Sequence, residues 1–171
     1  MTAVKTNYRA ALKALADGGV NFVVIGAYAA VLQGSAQITQ DLDICYERTS
    51  ANMKRLAASL APYHPRLRGA PDGVPFVLDE HALAQGMSFT LETDLGDIDL
   101  IGELSALGPF SQIVHDAVRL PLFDGACLVA GLDTLIRSKR AAGRPKDLRA
   151  LPELEALKEL HESEQKDKKN R

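Results

Sequence analysis

Tryptophan is absent from this sequence, and aromatic residues make up only 5% of its 171 positions. A surface that binds single-stranded nucleic acid by stacking the bases depends on several aromatic side chains. The composition therefore argues against a base-stacking platform as the main function.

Long apolar runs are also lacking, because no stretch approaches the eighteen or more residues of a membrane-spanning helix. The N-terminal segment is a mixed amphipathic sequence rather than a signal peptide. We therefore expect a cytoplasmic protein with no membrane partner. The two cysteines, Cys45 and Cys127, each lie in an apolar run, which predicts buried reduced thiols rather than a disulfide.

Several catalytic signatures are missing. The sequence has no G-x-x-x-x-G-K-[ST] loop, no G-x-G-x-x-G after a strand, no G-x-S-x-G elbow and no close grouping of histidine and cysteine. P-loop, dinucleotide-binding, serine-hydrolase and zinc chemistries thus have no support.

Apolar residues make up 46% of the chain and charged residues 25%, which is ordinary globular usage. We assign residues 1–161 to one domain and residues 162–171, which mix both charges without apolar residues, to a disordered tail. The net charge of −2 is unevenly spread, since the segment 137–149 has six basic residues and one acid. Such a segment suits an anionic ligand or a solvated helical face.

Periodicity predicts a mixed α/β protein. Helices are expected around Tyr8 to Leu15 and over 27–32, 51–60, 132–142 and 148–161. Strands are expected over 22–25, 41–46, 87–93, 96–101 and 127–129, and an irregular loop rich in proline and glycine over 62–75.

Acidic residues alternate with apolar ones in two of the predicted strands. Asp41 and Asp43 share one strand face, as do Asp97 and Asp99. Adjacent carboxylates repel unless a cation lies between them, and oxygen ligands suit Mg²⁺ or Mn²⁺. If the two strands are neighbours, one acid of the second strand completes a triad. We expect this to be Asp99, with Asp97 as a turn residue, although a solvated strand end also fits the first pair.

Gly26 ends a buried strand where a helix begins, and the free backbone N–H groups of such a turn suit phosphate oxygens. On the predicted helix 132–142, Lys139 falls at the centre of the apolar stripe formed by Leu132, Leu135 and Ile136. Its ammonium needs an anion, either a carboxylate of the triad or a nucleotide phosphate, unless the side chain extends outward to solvent. Asp147 is expected to cap the last helix.

Three blocks together resemble the DNA polymerase β-type nucleotidyltransferase superfamily. VIGAYAA (24–30) followed by TQDLDI (39–44) is similar to its G-[GS]…D-h-D signature, and LGDIDLI (95–101) is similar to the strand carrying its third carboxylate. The segment LIRSKRAAGRPKD (135–147) resembles the ending of a branch similar to AbiEii-type toxin nucleotidyltransferases. The resemblance spans about residues 5 to 160.

This resemblance implies a nucleotidyltransferase-like mixed β-sheet flanked by helices, with the C-terminal helices packed against it. It implies that Asp41, Asp43 and Asp99 are catalytic residues and ligands of Mg²⁺ or Mn²⁺, with Asp99 also a base for the incoming hydroxyl. The residues it implies for binding nucleotide and phosphate are Gly26, Ala27, Thr39, Lys139, Arg144 and Lys146.

Two departures bear on catalysis. Ala27 stands where the family usually has Gly or Ser, and Gln37 stands where this branch often has Arg before the acidic pair. Both changes weaken the expected phosphate contacts.

We therefore carry three interpretations forward. The first is an enzyme that transfers a nucleotidyl group from a nucleoside triphosphate, such as ATP, to tRNA, a protein or a small molecule. The resemblance also implies a toxin-like role with an antitoxin partner. The second is a nucleotide-binding or regulatory module of the same fold without turnover, and the third is an acidic-cluster phosphohydrolase.

Overall fold

The computed structural model describes residues 5–171. The elements are α1 (Tyr8–Asp17), β1 (Phe22–Ile25), α2 (Gly26–Val31), β2 (Asp41–Tyr46), α3 (Ser50–Leu60), β3 (Arg66–Leu67), α4 (Glu80–Gln85), β4 (Ser88–Thr93), β5 (Gly96–Ile101), β6 (Glu103–Leu104), β7 (Gly108–Pro109), α5 (Phe110–Ile113), β8 (Val118–Leu122), β9 (Gly125–Val129), α6 (Leu132–Ala142) and α7 (Pro145–Lys169). Short 3₁₀ turns occur at Ala61–Tyr63 and Val114–Asp116.

Seven strands form one mixed sheet in the spatial order β3-β4-β5-β2-β1-β9-β8, and β6 pairs with β7 separately. Strand β2 is antiparallel to β1 but parallel to β5, and β1 is parallel to β9. Strand β1 lies between two partners and all four of its residues are buried, which explains why its sequence FVVI is continuously apolar. Helix α6 contacts both α2 and α7.

The chain before α1 ties the starts of two central strands together. The Thr6 hydroxyl donates to the Gln40 carbonyl and accepts from the Asp97 N–H at 3.1 Å. The Asn7 N–H donates to the Leu95 carbonyl at 2.7 Å. These bonds hold together the ends of β2 and β5 that carry the acidic residues.

Most predicted elements are confirmed, while the short elements α4, α5, β6 and β7 and both edges of the main sheet are not predicted. Strands β3 and β8 are the two edge strands, and neither is predicted from the sequence. Pro121 lies within β8, a position that an edge strand tolerates because one side of it has no ladder partner. Hairpin β8–β9 thus extends the single strand that the sequence predicts at 127–129.

The last helix runs to Lys169, beyond the limit of 161 that the sequence predicts, and residues 162–171 are exposed throughout. The division of the chain at residue 162 stays a prediction. Cys45 and Cys127 are both buried and free, which confirms the reduced thiols. No helix within residues 5–171 is both long and apolar enough to cross a membrane.

A buried asparagine joins the segments that enter β1 and leave β2. The Asn52 side chain accepts from the Asn21 N–H at 2.7 Å and donates to the carbonyls of Asn21 and Glu47 at 3.0 and 2.8 Å. The Asn52 residue is fully buried, so water cannot replace these bonds.

Replacing Asn52 with alanine should therefore lower the free energy of unfolding by about 2–4 kcal/mol, because backbone groups are left without partners. Urea unfolding measures this. The control is Asn7→Ala, which removes one exposed cap of helix α1 and should cost only about 1 kcal/mol. Equal losses in the two variants would contradict the role given to Asn52.

Candidate functional site

Strand pairing brings the acidic residues together. In the parallel register of β2 and β5, Asp41 lies opposite Asp97 and Asp43 lies opposite Asp99. All four side chains share one face, because residues two apart on a strand point the same way. Carboxylate oxygens of Asp41, Asp43 and Asp99 all lie within 4.8 Å of one another.

The opposite face of the same two strands explains this placement. Leu42 and Ile44 of β2 and Ile98 and Leu100 of β5 are all fully buried. A shift of either strand by one residue would turn its apolar side chains out of the core and its carboxylates into it. Burial of the apolar residues therefore determines which face the acids occupy.

The sequence predicts Asp97 to be a turn residue, but the structure places it in a strand. It lies inside β5, where Gly96 is the first strand residue, and its side chain is 36% exposed on the acidic face. Burial raises the pKa of this carboxyl. Asp97 thus belongs to the surroundings of the triad rather than to the turn alone.

Gly26 makes the turn from β1 into α2 directly beside Asp43. Its φ of +69° lies in the left-handed region, which favours glycine. A Cβ at this position would lie 2.2 Å from Oδ2 of Asp43. The absence of a side chain at residue 26 is therefore what lets the Asp43 carboxylate sit at this turn.

Asp43 is the carboxyl whose ionisation the fold opposes most. Burial, together with the neighbouring charges of Asp99 and Asp41, raises its pKa from 3.8 to about 7, while Arg68 acts in the opposite direction. A cation that replaces the proton of such a carboxyl stabilises its charged form. Near neutral pH the cluster is therefore prepared to exchange a proton for a metal ion.

The raised pKa of Asp43 predicts a pH-dependent stability. Between about pH 4 and pH 7 the folded protein keeps a proton on Asp43 that the unfolded chain has released, so stability from this group is lost as the pH rises through 7. In metal-free buffer, Asp43→Asn should then be more stable than the parent at pH 8, by up to about 4 kcal/mol, and close to it at pH 4. Thermal unfolding across this range measures the difference. A stability gap that does not change with pH would contradict the assignment.

The geometry at Gly26 gives a second prediction. Gly26→Ala should displace the Asp43 carboxylate and destabilise the fold by about 1–3 kcal/mol, because φ is positive and the new Cβ meets Asp43. Gly73 is the matched control, since its φ is +84° but no atom lies within 4 Å of a built Cβ. Calorimetric titration with Mn²⁺ should show weakened binding for Gly26→Ala only. Equal Mn²⁺ binding in both variants would show that the turn at Gly26 does not contribute to the metal site.

A cleft of about 680 Å³ adjoins Asp41 and Asp43. All six residues expected to bind nucleotide or phosphate line it, namely Gly26, Ala27, Thr39, Lys139, Arg144 and Lys146. The Thr39 hydroxyl donates to the Asp41 carbonyl at 3.2 Å, which ties this cleft residue to the start of β2. The cleft has the size of a small-molecule site and places basic side chains near the acidic pair.

The two residues that depart from the family pattern also line this cleft. Ala27 follows the turn at Gly26, and Gln37 lies on the connection between α2 and β2. The Gln37 Nε2 is buried and has no hydrogen-bond partner among residues 5–171. A neutral amide side chain therefore lines the cleft where the related branch often has an arginine.

Asp147, rather than an acid of the triad, is the partner of Lys139. Lys139 Nζ lies 3.1 Å from Oδ1 of Asp147, and Arg144 Nε lies 2.6 Å from Oδ2. Asp147 is fully buried within the first turn of α7, whereas Arg144 occupies the capping position, so the predicted cap role is wrong. Burial acts to raise the pKa of Asp147, but the hydrogen bonds from Arg144 and Lys139 outweigh it and lower the pKa to about 2. The buried carboxylate thus holds two cations at the edge of the cleft.

Arg68 is a site residue that the sequence does not reveal. Its Nη2 donates to Oδ1 of Asp99 at 2.6 Å and to the Leu91 carbonyl at 3.0 Å. Its Nε lies 3.2 Å from Asp97 and its Nη1 3.7 Å from Asp41. Arg68 follows the edge strand β3 inside the segment predicted to be an irregular loop. Only the pairing of β3 with β4 brings it to the acidic face.

The seven-stranded mixed sheet flanked by helices is a nucleotidyltransferase-like fold, as the sequence predicts. A scan against protein-family models finds no match, and a search of curated proteins finds none either. Among solved structures, the chain is similar to the crystal structure of a putative nucleotidyltransferase from Thermotoga maritima. The TM-score is 0.54 and the identity 15%, over 85% of this chain and 88% of that chain. At this identity the likeness shows the fold, while the similarity to the AbiEii-type branch stays a prediction.

Proposed function

We propose that this protein is a metal-dependent enzyme that transfers a nucleotidyl group from a nucleoside triphosphate to an acceptor hydroxyl or phosphate. The observation that carries the proposal is the carboxylate cluster of Asp41, Asp43 and Asp99, which lies beside a cleft lined by basic residues. Both features occur on the face of a nucleotidyltransferase-like sheet.

The donor set of the cluster fits a divalent ion with a preference for oxygen. Mg²⁺ binds carboxylate oxygens at about 2.0–2.1 Å, so two oxygens on one ion lie at most about 4.2 Å apart. The oxygens of the three aspartates, all within 4.8 Å of one another, reach that spacing with small side-chain rotations. Asp41, Asp43 and Asp99 would hold Mg²⁺ or Mn²⁺. The bound ion would supply charge stabilisation for the phosphates and activate the attacking hydroxyl.

The basic side of the cleft suits the triphosphate. Lys139, Arg144 and Lys146 come from α6, the break between the helices and the start of α7. Asp147 keeps the first two in place, and its single negative charge leaves the group with a net positive charge. Preorganised cations near a transferring phosphoryl group lower the barrier without reorganising during the reaction.

Asp99 is the member of the acidic triad that does not line the cleft. In-line displacement places the attacking oxygen opposite the leaving pyrophosphate. Strand β5 lies on the far side of β2 from β1, whose end leads into α2 at Gly26. We assign to Asp99, on β5, the role of accepting the proton of the attacking hydroxyl, which is the role that the sequence resemblance implies. The acceptor class, whether tRNA, protein or small molecule, and an antitoxin partner rest on the sequence resemblance.

The test uses each nucleoside triphosphate labelled in the α-phosphate, with Mg²⁺ or Mn²⁺ and a panel of RNA, protein and small-molecule acceptors. We expect labelled acceptor and released pyrophosphate from the parent protein, and a loss of roughly a hundredfold or more in the Asp41→Asn/Asp43→Asn variant. Asp124→Asn, which neutralises an exposed acid outside the cluster, is the control and should keep full activity.

The remaining outcomes separate the other interpretations. Release of inorganic phosphate or pyrophosphate without a labelled acceptor would indicate a phosphohydrolase. Metal-dependent binding of the triphosphate by calorimetry, with no transfer to any acceptor, would indicate a binding or regulatory module. Binding or transfer that survives the double variant would show that the acidic pair is not the site.

A further inference from the structure

Arg68 covers the side of the acidic cluster that faces away from the cleft. It is the residue directly after β3, and its N–H donates to the Thr90 carbonyl of β4 at 2.9 Å, which extends the β3–β4 pairing. The side chain is 25% exposed, and its main partner Asp99 is 14% exposed. The guanidinium is thus held over the carboxylates in a partly desolvated position, where charge interactions are stronger than in water.

Two of the three carboxylates that would hold a divalent ion are contacted by this guanidinium. It lies 2.6 Å from Asp99 and 3.7 Å from Asp41. A cation of one charge therefore already neutralises part of the cluster. An arriving ion of two charges must share these carboxylates with Arg68 or displace it, because the two cations repel each other at such distances.

The contacts of Arg68 are also incompletely satisfied. The ion pair between Nε and Asp97 at 3.2 Å lacks hydrogen-bond alignment, so the buried Nε has no hydrogen-bond partner among the described residues. The chain that follows has room to move, because Gly69 and Gly73 have positive φ values and no atom within 4 Å of a built Cβ. At these two glycines, therefore, no packed neighbour opposes a shift of the segment that follows Arg68.

We propose that Arg68 is an internal cation that competes with the divalent ion for Asp41 and Asp99, and that metal binding releases it from both carboxylates. This inference rests on the metal site of the proposed function. In the structure the guanidinium also lies near Asp97 and donates to the Leu91 carbonyl, and neither group belongs to the three carboxylates that would hold the ion. The affinity for the divalent ion therefore depends on how readily the ion replaces the Arg68 guanidinium at these carboxylates.

The test is calorimetric titration of the metal-free protein with Mn²⁺, comparing the parent with Arg68→Gln. Removing a competing positive charge about 4–6 Å from the ion should lower the Kd roughly tenfold. Arg66→Gln is the matched control, since Arg66 lies two residues earlier on the same edge and pairs with Glu92 at 3.9 Å, outside the cluster. Its Kd should stay within about twofold of the parent value. An unchanged Kd in Arg68→Gln would overturn the proposal, and a raised Kd would overturn it and assign Arg68 to orienting Asp99.

A second variant covers the case in which Arg68→Gln does not fold, as judged by circular dichroism. Arg68→Lys keeps the charge but loses the planar fork that reaches several carboxylates at once, so the Kd should fall by about threefold. No change in Arg68→Lys would then overturn the proposal.

Failure of the metal site itself gives a distinct result. If the parent shows no Mn²⁺ binding, or binding that Asp43→Asn leaves intact, the metal site of the proposed function fails and this inference fails with it. If parent binding is lost in Asp43→Asn but not tightened in either Arg68 variant, only the competition by Arg68 is wrong.

Discussion

The parallel pairing of β2 with β5 is the constraint on which the site depends. Its register places Asp41 beside Asp97 and Asp43 beside Asp99, so four carboxylates crowd one strand pair. The arrangement persists because the same register buries Leu42, Ile44, Ile98 and Leu100 on the other face. Burial of apolar surface thus offsets electrostatic repulsion that would otherwise separate these strands. Burial, together with the charges of Asp99 and Asp41, raises the pKa of Asp43 at this crowded position.

Cations surround this cluster on two sides, and they are held in different ways. On the cleft side, Lys139 and Arg144 are anchored by the buried Asp147, so that they line the cleft without binding the triad. On the far side, Arg68 binds the triad itself. Cations held by their own carboxylate remain available to an anionic ligand, whereas Arg68 neutralises the acids directly. This division suits a site that takes both a metal ion and a phosphate-bearing molecule.

The elements of the fold that could be predicted are those with strong local patterns. Strands β1, β2 and β5 alternate or run apolar throughout, and α6 has a clear apolar stripe. The edge strands β3 and β8 could not be predicted from the sequence, because short and half-exposed strands carry no periodicity of their own and form only against a neighbour. The identity of the anion that binds Lys139 could not be predicted from the sequence either. Spacing shows that this lysine needs a partner, but Asp147 becomes the partner only through the packing of α7 on α6.

The sequence by itself determined which strands bear the acidic residues and which face of each strand they share, because alternation of acidic and apolar residues is a local property that fixes the face of each side chain. It also determined that Gly26 marks the turn into α2. Only the tertiary structure decided that β2 and β5 are neighbours, that Asp97 joins the acidic face, and that Arg68 reaches it from an edge strand. These are long-range pairings, and their register follows from burial of a shared core, which no single segment of the chain contains.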